Sequence, residues 1–256
     1  MKSLAIVGGA GRMGQALAEG LGALGQFSLV ALVDQVEPRY LFGASFATSL
    51  DELEPSKLDV VINFSSPEGV VASATWCAKN GVALVIGTTG LSPEQRESVQ
   101  AAAAHVGVVM ASNFSIGAAL AERFAAQAAP YFERVEIVEL HHDRKVDAPS
   151  GTSIAAAKGI AEARQRAGLL PLVDPTKRHT VEGARGADVV DGVKIHSVRL
   201  PGLVAHQEIL FGSAGEGLII RHDSFDRQSF VHGVALAVNA VDATPRFLEG
   251  IASLIP

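Results

Sequence analysis

Short apolar runs alternate with longer stretches of helical spacing through the N-terminal part of the chain. Leu4-Ala5-Ile6-Val7 is followed by a helical pattern through Leu17, Leu21 and Leu24, then by Leu29-Val30-Ala31-Leu32-Val33. The strand-like run recurs at Val60–Phe64, Val82–Ile86 and Val106–Ala111. Between these, Pro67–Asn80 and Pro93–His105 read as helices with a proline in the first turn. The alternation predicts an α/β fold, a Rossmann-type doubly wound parallel sheet with ligands at the carboxyl ends of its strands.

After Asn113 the pattern changes. An alanine-rich helix, Ile116 to about Tyr131, precedes a strand-like run through Val135, Ile137, Val138 and Leu140, and a second alanine-rich helix runs from Ser150 to about Ala167. Leu169–Asp191 carries prolines, glycines and charges without periodicity and reads as a long, mobile loop. Val193–Leu200, Ala205–Phe211 and Leu218–His222 read as strands, the last two joined by a hairpin-type connection over Gly212–Gly217. Helical spacing returns over Phe225–Val241. Strands that no longer alternate with helices predict an α+β domain on a mostly antiparallel sheet.

Composition narrows the class. A chain of 256 residues forms one large domain or two modest ones. Its net charge of −6, with no cluster of lysines and arginines, gives no case for nucleic acid. Cys77 is the only cysteine, which leaves no intrachain disulfide and no cysteine-based metal site. It falls in a helical pattern with Val71, Ala74 and Ala78 and reads as a core thiol; no metal is expected. The apolar run after Met1-Lys2 stops at Gly8, too soon for a signal peptide, and no run approaches the roughly 20 residues of a membrane span. The expected location is the cytoplasm, with no membrane partner.

Two places carry chemistry. The first is the loop Gly8, Gly9, Ala10, Gly11, Arg12, Met13 before the first helix, where Gly9-x-Gly11-x-x-Gly14 has dinucleotide-binding spacing in a strand–loop–helix context. Small residues let the backbone approach a pyrophosphate, and the helix N-terminus meets its charge. Asp34, at the end of the second strand, is placed to accept both ribose hydroxyls of an adenosine and to repel a 2′-phosphate. NADH is therefore expected to serve at least as well as NADPH, with Arg12 or Arg39 able to rescue some NADPH binding. Two small polar turns follow later strands, Gly87-Thr88-Thr89-Gly90 and Ala111-Ser112-Asn113-Phe114.

The second place is Glu139 to Thr152, which packs two histidines, a lysine and a helix start together. Unpaired N–H groups and the positive dipole end make a seat for a carboxylate or phosphate. Lys145 adds charge, and His141 or His142 can carry a proton near neutrality. Read plainly, the same stretch is a polar surface loop before a helix, with Ser150 or Thr152 as the N-cap.

The string His141-His142-x-x-Lys145-x-Asp147-Ala148-Pro149-Ser150-Gly151-Thr152 resembles the signature of the 4-hydroxy-tetrahydrodipicolinate (dihydrodipicolinate) reductase family. The resemblance extends to the Gly-Gly-Ala-Gly-Arg-Met-Gly loop, both turns and the C-terminal strands. It implies hydride transfer from NAD(P)H to an unsaturated cyclic dicarboxylate on the diaminopimelate route to lysine, in a homotetramer built through the C-terminal sheets. It also implies that Gly87, Thr88, Thr89, Ala111, Ser112, Asn113 and Phe114 line the nicotinamide side. His141 takes the proton-donor position, Lys145 an electrostatic or second proton-donor role and His142 a substrate contact, while Gly151 and Thr152 hold a substrate carboxylate. The C-terminal helix rejoins the nucleotide domain, giving 1–113 with 223–256 for dinucleotide binding and 114–222 for substrate binding and oligomerisation.

Neighbouring strand residues point to opposite faces, so both histidines reach one pocket only if the strand ends there. Asp147 is expected to orient the loop, the remaining histidines to be structural, and Arg185 and Arg199 to be candidate carboxylate partners. A Tyr-x-x-x-Lys dyad is absent, since Ala44 and Val135 stand four residues beyond Tyr40 and Tyr131. Thiol catalysis would need a poised cysteine, which an apolar helix does not provide. The rival readings are another imine-directed oxidoreductase, such as an aspartate dehydrogenase, and a nucleotide-sensing protein that binds NAD(H) without turnover.

Overall fold

The computed structural model describes residues 1–256. The chain begins β1 (Lys2–Val7), α1 (Arg12–Ala23), β2 (Phe27–Val33), β3 (Ser45–Ala47), β4 (Val60–Asn63), α2 (Pro67–Asn80), β5 (Ala83–Ile86), α3 (Pro93–Ala103) and β6 (Gly107–Met110). It continues through α4 (Ile116–Ala128), β7 (Arg134–His141), α5 (Gly151–Arg166), β8 (Ala187–Val190), β9 (Val193–Arg199), β10 (Ala205–Ser213) and β11 (Glu216–Ser224). It closes with α6 (Val231–Ala240) and β12 (Arg246–Glu249). Two compact units result, Met1–Ile116 with Arg227–Pro256, and Gly117–Asp226.

The first unit holds a seven-stranded sheet in the order β12-β6-β5-β4-β1-β2-β3, parallel throughout. From β3 to β6 this is the doubly wound 3-2-1-4-5-6 order, which reverses between β1 and β4. Every residue of β4, β5 and β6 is buried, which accounts for their continuous apolar runs. Helices start where the sequence supplies caps. Ser66 caps α2 ahead of Pro67, Ser92 and Gln95 form a capping box on α3, and Gly81 ends α2 in the left-handed conformation. Cys77 lies fully enclosed in this core.

The second unit carries a five-stranded sheet in the order β11-β10-β7-β9-β8. Only β7 and β9 pair in parallel; the other neighbours are antiparallel. Ile137, Ile195, Ile209 and Phe211 pack one face against Ala156, Ala157 and Ile160 of α5. The small alanines let the helix sit close to the sheet.

Several local expectations change. The stretch from Leu169 to Asp191 is not wholly loop, because Ala187–Val190 pairs with β9 and Leu172 donates to the Asp191 carbonyl at 2.8 Å. Arg185 ties the same segment to Glu136 on β7, and Asp174 lies 3.5 Å from Arg185 and 3.6 Å from Lys194. Those charges carried no periodic signal because they bond to the sheet one by one. The helix expected from Phe225 forms only from Val231, after a 3-10 turn at Arg227–Phe230. Likewise α4 stops at Ala128, where Pro130 leaves only a 3-10 turn through Tyr131. The short strands β3 and β12 carried no sequence signal.

Candidate active site

The glycine loop separates residues the backbone needs from one it does not. Gly8 has φ +85°, and a Cβ there would fall 2.2 Å from the Phe64 carbonyl oxygen. A Cβ on Gly14 would fall 2.1 Å from the Gly8 oxygen. Gly11 is different: φ is −68°, and its only close neighbour would be the Gly8 oxygen at 3.2 Å. It is the N-cap of α1, a helix start with no side-chain cap and no acidic residue in its first turn. The amide donors at this end are thus left to something outside the chain, as a pyrophosphate seat requires. Arg12 beside it is exposed and Met13 half-buried.

Asp34 borders the same loop. Its Oδ2 accepts the Ala10 amide at 2.9 Å and its Oδ1 accepts the Gln35 amide at 2.7 Å. Gln15 donates to the carbonyls of Gly9 at 2.8 Å and Tyr40 at 3.1 Å, tying the following loop to the glycines. In that loop the Arg39 guanidinium stacks over the Tyr40 ring at 5.1 Å. A cleft of about 860 Å³ opens here, bordered by Gly8, Gly11, Asp34, Ser65, Trp76 and Lys79. It lies at the carboxyl ends of β1, β2 and β4, beside the reversal of strand order.

The Gly87–Gly90 turn is held by one residue that sequence reading passed over. Asn63, fully buried at the end of β4, donates to the Gly69 carbonyl at 3.1 Å and the Ser73 hydroxyl at 2.8 Å. Its Oδ1 accepts from Ser65 and from the Thr88 hydroxyl at 3.0 Å. Thr88 is thereby fixed, while Gly87 packs so near Phe64 that a Cβ would meet the ring at 2.0 Å. Thr89 and Ser112 are exposed, and the Asn113 side chain accepts the Ser115 amide at 2.8 Å. Ala111 and Phe114 have main chain, not side chains, to offer a ligand at the second turn. Ala111 is buried with its amide on Ile86, and the Phe114 ring is enclosed between Phe64 at 5.6 Å and Phe230 at 6.4 Å. Their side chains build the floor under the turn.

In the second unit β7 ends at His141, so His142 already lies beyond the strand and is freed from strict alternation. Glu139 and His141, two apart on the strand, share a face, and His141 Nδ1 bonds to Glu139 Oε2. Glu139 is wholly buried and also takes both ends of the Arg199 guanidinium, at 2.8 and 3.0 Å. Burial pushes the Glu139 carboxyl upward, but Arg199, Ser197 and His141 outweigh it and hold the group below its ordinary range. Burial lowers His141, assisted by Lys145 and Arg199 and opposed by Glu139. Lys145 lies 2.7 and 2.8 Å from the two oxygens of Asp147 and lowers that carboxyl. The Nδ1 atom of His142 is buried without a protein partner.

After the cis Ala148–Pro149 peptide, Ser150 caps α5 by accepting the Ser153 amide at 3.2 Å, and Ser153 donates to Gln207 at 2.6 Å. Gly151 and Thr152 open the helix, with no acidic residue in its first turn. A Cβ on Gly151 would meet nothing within 4 Å, and its φ is not positive. Neither backbone conformation nor packing asks for glycine there. The arginines weighed as substrate partners are otherwise engaged, Arg199 with Glu139 and Arg185 with Glu136. His206 and His196 are likewise paired, with Asp223 and Glu136, both at 2.7 Å.

Comparison with known proteins bears on the same segments. Residues 2–114 match the family described as dihydrodipicolinate reductase, N-terminus, and residues 117–254 match dihydrodipicolinate reductase, C-terminus. A 4-hydroxy-tetrahydrodipicolinate reductase of Mycolicibacterium smegmatis is 49% identical over 241 residues, covering 92% of this chain and 97% of that one. The dipicolinate-bound dihydrodipicolinate reductase of Paenisporosarcina sp. TG-14 superposes with a TM-score of 0.87 at 38% identity, over 100% of both chains. The aspartate dehydrogenase of Thermotoga maritima, at 16% identity and TM-score 0.51 over 94% and 96% of the two chains, shares the fold alone. With both halves matched in order and the likeness running nearly end to end, the chain belongs to the dihydrodipicolinate reductase family.

Proposed function

We propose that this protein is a cytoplasmic enzyme that reduces 4-hydroxy-tetrahydrodipicolinate to tetrahydrodipicolinate with NADH or NADPH, on the diaminopimelate route to lysine. The residues present fit a dinucleotide. Gly11 and the uncapped start of α1 hold the pyrophosphate, with Gly8, Gly9, Ala10, Arg12 and Met13 around them. Asp34 takes the adenosine ribose, and Gly87, Thr88, Thr89, Ser112 and Asn113 take the nicotinamide side, over main chain from Ala111 and Phe114. When bound, the reduced nicotinamide supplies the hydride.

The chain's own groups do the rest. Hydride addition to a conjugated imine builds negative charge that a proton must quench. His141 supplies that proton from Nε2, the ring nitrogen not engaged by Glu139. Lys145 stabilises the developing charge, and His142 contacts the substrate. Gly151 and Thr152 hold a carboxylate on the first turn of α5, where amides and dipole favour an anion. NADH serves at least as well as NADPH, because Asp34 would face a 2′-phosphate.

The assembly is a homotetramer built through the second sheet. Support comes from β11, a nine-residue edge strand on which Leu218 is 37% and Ile219 63% exposed. No helix is long and apolar enough to cross a membrane.

The observation that carries the reading is His141 held by a buried carboxylate just before the Ser150–Thr152 helix start. Oxidation of NADH and NADPH is measured with substrate made in situ by a dihydrodipicolinate synthase, for the wild type and His141→Ala. Turnover by the wild type, lost in the variant with NADH affinity kept, is expected. Tight NADH binding without turnover by the wild type would sink the assignment. Light scattering decides the tetramer.

A further inference from the structure

We infer that Glu139 and Arg199 form a positioning pair that fixes the tautomer of His141 and, through the same guanidinium, the segment carrying Lys145. The inference deepens the proposed role of His141 as proton donor and rests on it.

The geometry begins with sheet register. β7 and β9 run parallel with His141 opposite Arg199, and the Leu200 amide donates to the His141 carbonyl at 3.1 Å. Arg199 therefore arrives beside the end of β7 from a strand sixty residues away. It meets Glu139, whose side chain has no exposure, with one guanidinium nitrogen on each carboxylate oxygen. A bidentate arginine in such a site keeps the carboxylate ionised and unable to donate.

An ionised carboxylate only accepts, so His141 must present a proton on Nδ1 to make its bond to Glu139. Neutral His141 is then the Nδ1–H tautomer, and its acid form carries the second proton on Nε2. The proton leaves from Nε2 and is replaced there, while Nδ1–H stays on Glu139 throughout. An aspartate plays the same orienting part for the histidine of a Ser-His-Asp triad.

Arg199 adds a second link. Its Nη2 also donates to the Asp147 carbonyl at 2.8 Å, and the Asp147 side chain holds Lys145. The charged groups facing His141 are thus Glu139, Arg199 and Lys145, with Asp147 beyond the lysine. A pair that served only to hold β7 against β9 would not need a third partner in the loop.

The test begins with the wild-type enzyme labelled with nitrogen-15 in histidine, His141 being assigned by difference from His141→Ala. Above its pKa, His141 is expected to show a protonated Nδ1 and an unprotonated Nε2. The opposite tautomer, or an even mixture, overturns the inference without any variant having to fold. Glu139→Gln is expected to mix the tautomers and lower kcat by about 10²-fold with a changed pH profile, NADH affinity staying within about twofold. Arg199→Lys should keep the charge, lose the fork, and lower kcat less than Glu139→Gln does. A Glu139→Gln enzyme with the wild-type tautomer and pH profile would reduce the pair to a structural one. If His141→Ala keeps full kcat, the proton-donor reading fails instead, and the two failures are distinct.

Discussion

Asp34 and Ala10 are joined by a 2.9 Å hydrogen bond from the loop amide to the carboxylate, while the other oxygen takes the Gln35 amide at 2.7 Å. The carboxylate proposed to accept the ribose is oriented by the same backbone proposed to seat the phosphates. Asp34→Ala should remove charge-assisted bonds to the ribose, each worth about 1.5–3 kcal/mol. The NADH dissociation constant is then expected to rise about tenfold or more, and that for NADPH to rise less, because a repulsion is removed with the bonds. Titration of reduced-nicotinamide fluorescence measures both. Equal losses would mean that Asp34 only orders the loop.

Gly11 and Gly14 look alike in the motif but differ in what surrounds them. A Cβ on Gly14 would overlap the Gly8 carbonyl at 2.1 Å, with backbone on both sides, so Gly14→Ala should destabilise the protein by about 1–3 kcal/mol or more. At Gly11 the only near atom is 3.2 Å away and the conformation suits any residue. Gly11→Ala should therefore keep stability within about 1 kcal/mol while weakening both cofactors about tenfold or more. Urea unfolding beside cofactor titration separates the two. Gly11→Ala binding NADH normally would remove the pyrophosphate from this position.

Strands β4, β5 and β6 were readable because burial on both faces turns a strand into an unbroken apolar run. β3 and β12 were not, since Ser-Phe-Ala and Arg-Phe-Leu-Glu at the edges of the sheet are too short and mixed to show a period. In the site, Glu139 was within reach of sequence reasoning, because residues two apart on a strand share a face. Arg199 was not: an arginine at a strand end looks like a substrate ligand until β7–β9 register brings it to Glu139. Asn63 shows the same limit, reading as one polar residue of a strand until the fold shows what its buried amide holds.

The direction of the His141 shift fixes one limb of the pH dependence. Burial, with Lys145 and Arg199, lowers it below the ordinary 6.5 despite Glu139. As proton donor it acts in the protonated form, so kcat/KM should fall as pH rises through a value below 6.5. A depressed folded pKa means that the unfolded chain binds the proton more tightly. Stability is then present above the unfolded value and declines as pH falls through the window beneath it. Acid that favours the proton donor therefore weakens the fold. Rate profiles against pH for the wild type and His141→Asn check this, and a limb unchanged in the variant would assign it to another group.

Glu122 on α4 has the opposite sign. Burial, with no compensating charge, pushes its carboxyl up to about 7 from an ordinary 4.5. A raised folded pKa contributes stability that is fully present below the unfolded value and is lost as pH rises toward about 7. Glu122→Gln replaces the group with a neutral one of the same shape and abolishes that loss. Relative to wild type, the variant should gain about 1–3 kcal/mol on going from about pH 5 to about pH 8. Groups titrating in both proteins cancel in this comparison, so the difference isolates Glu122. Urea unfolding of both proteins at the two pH values measures it. A stability difference that does not change with pH would mean that Glu122 ionises freely and that α4 bears no buried charge.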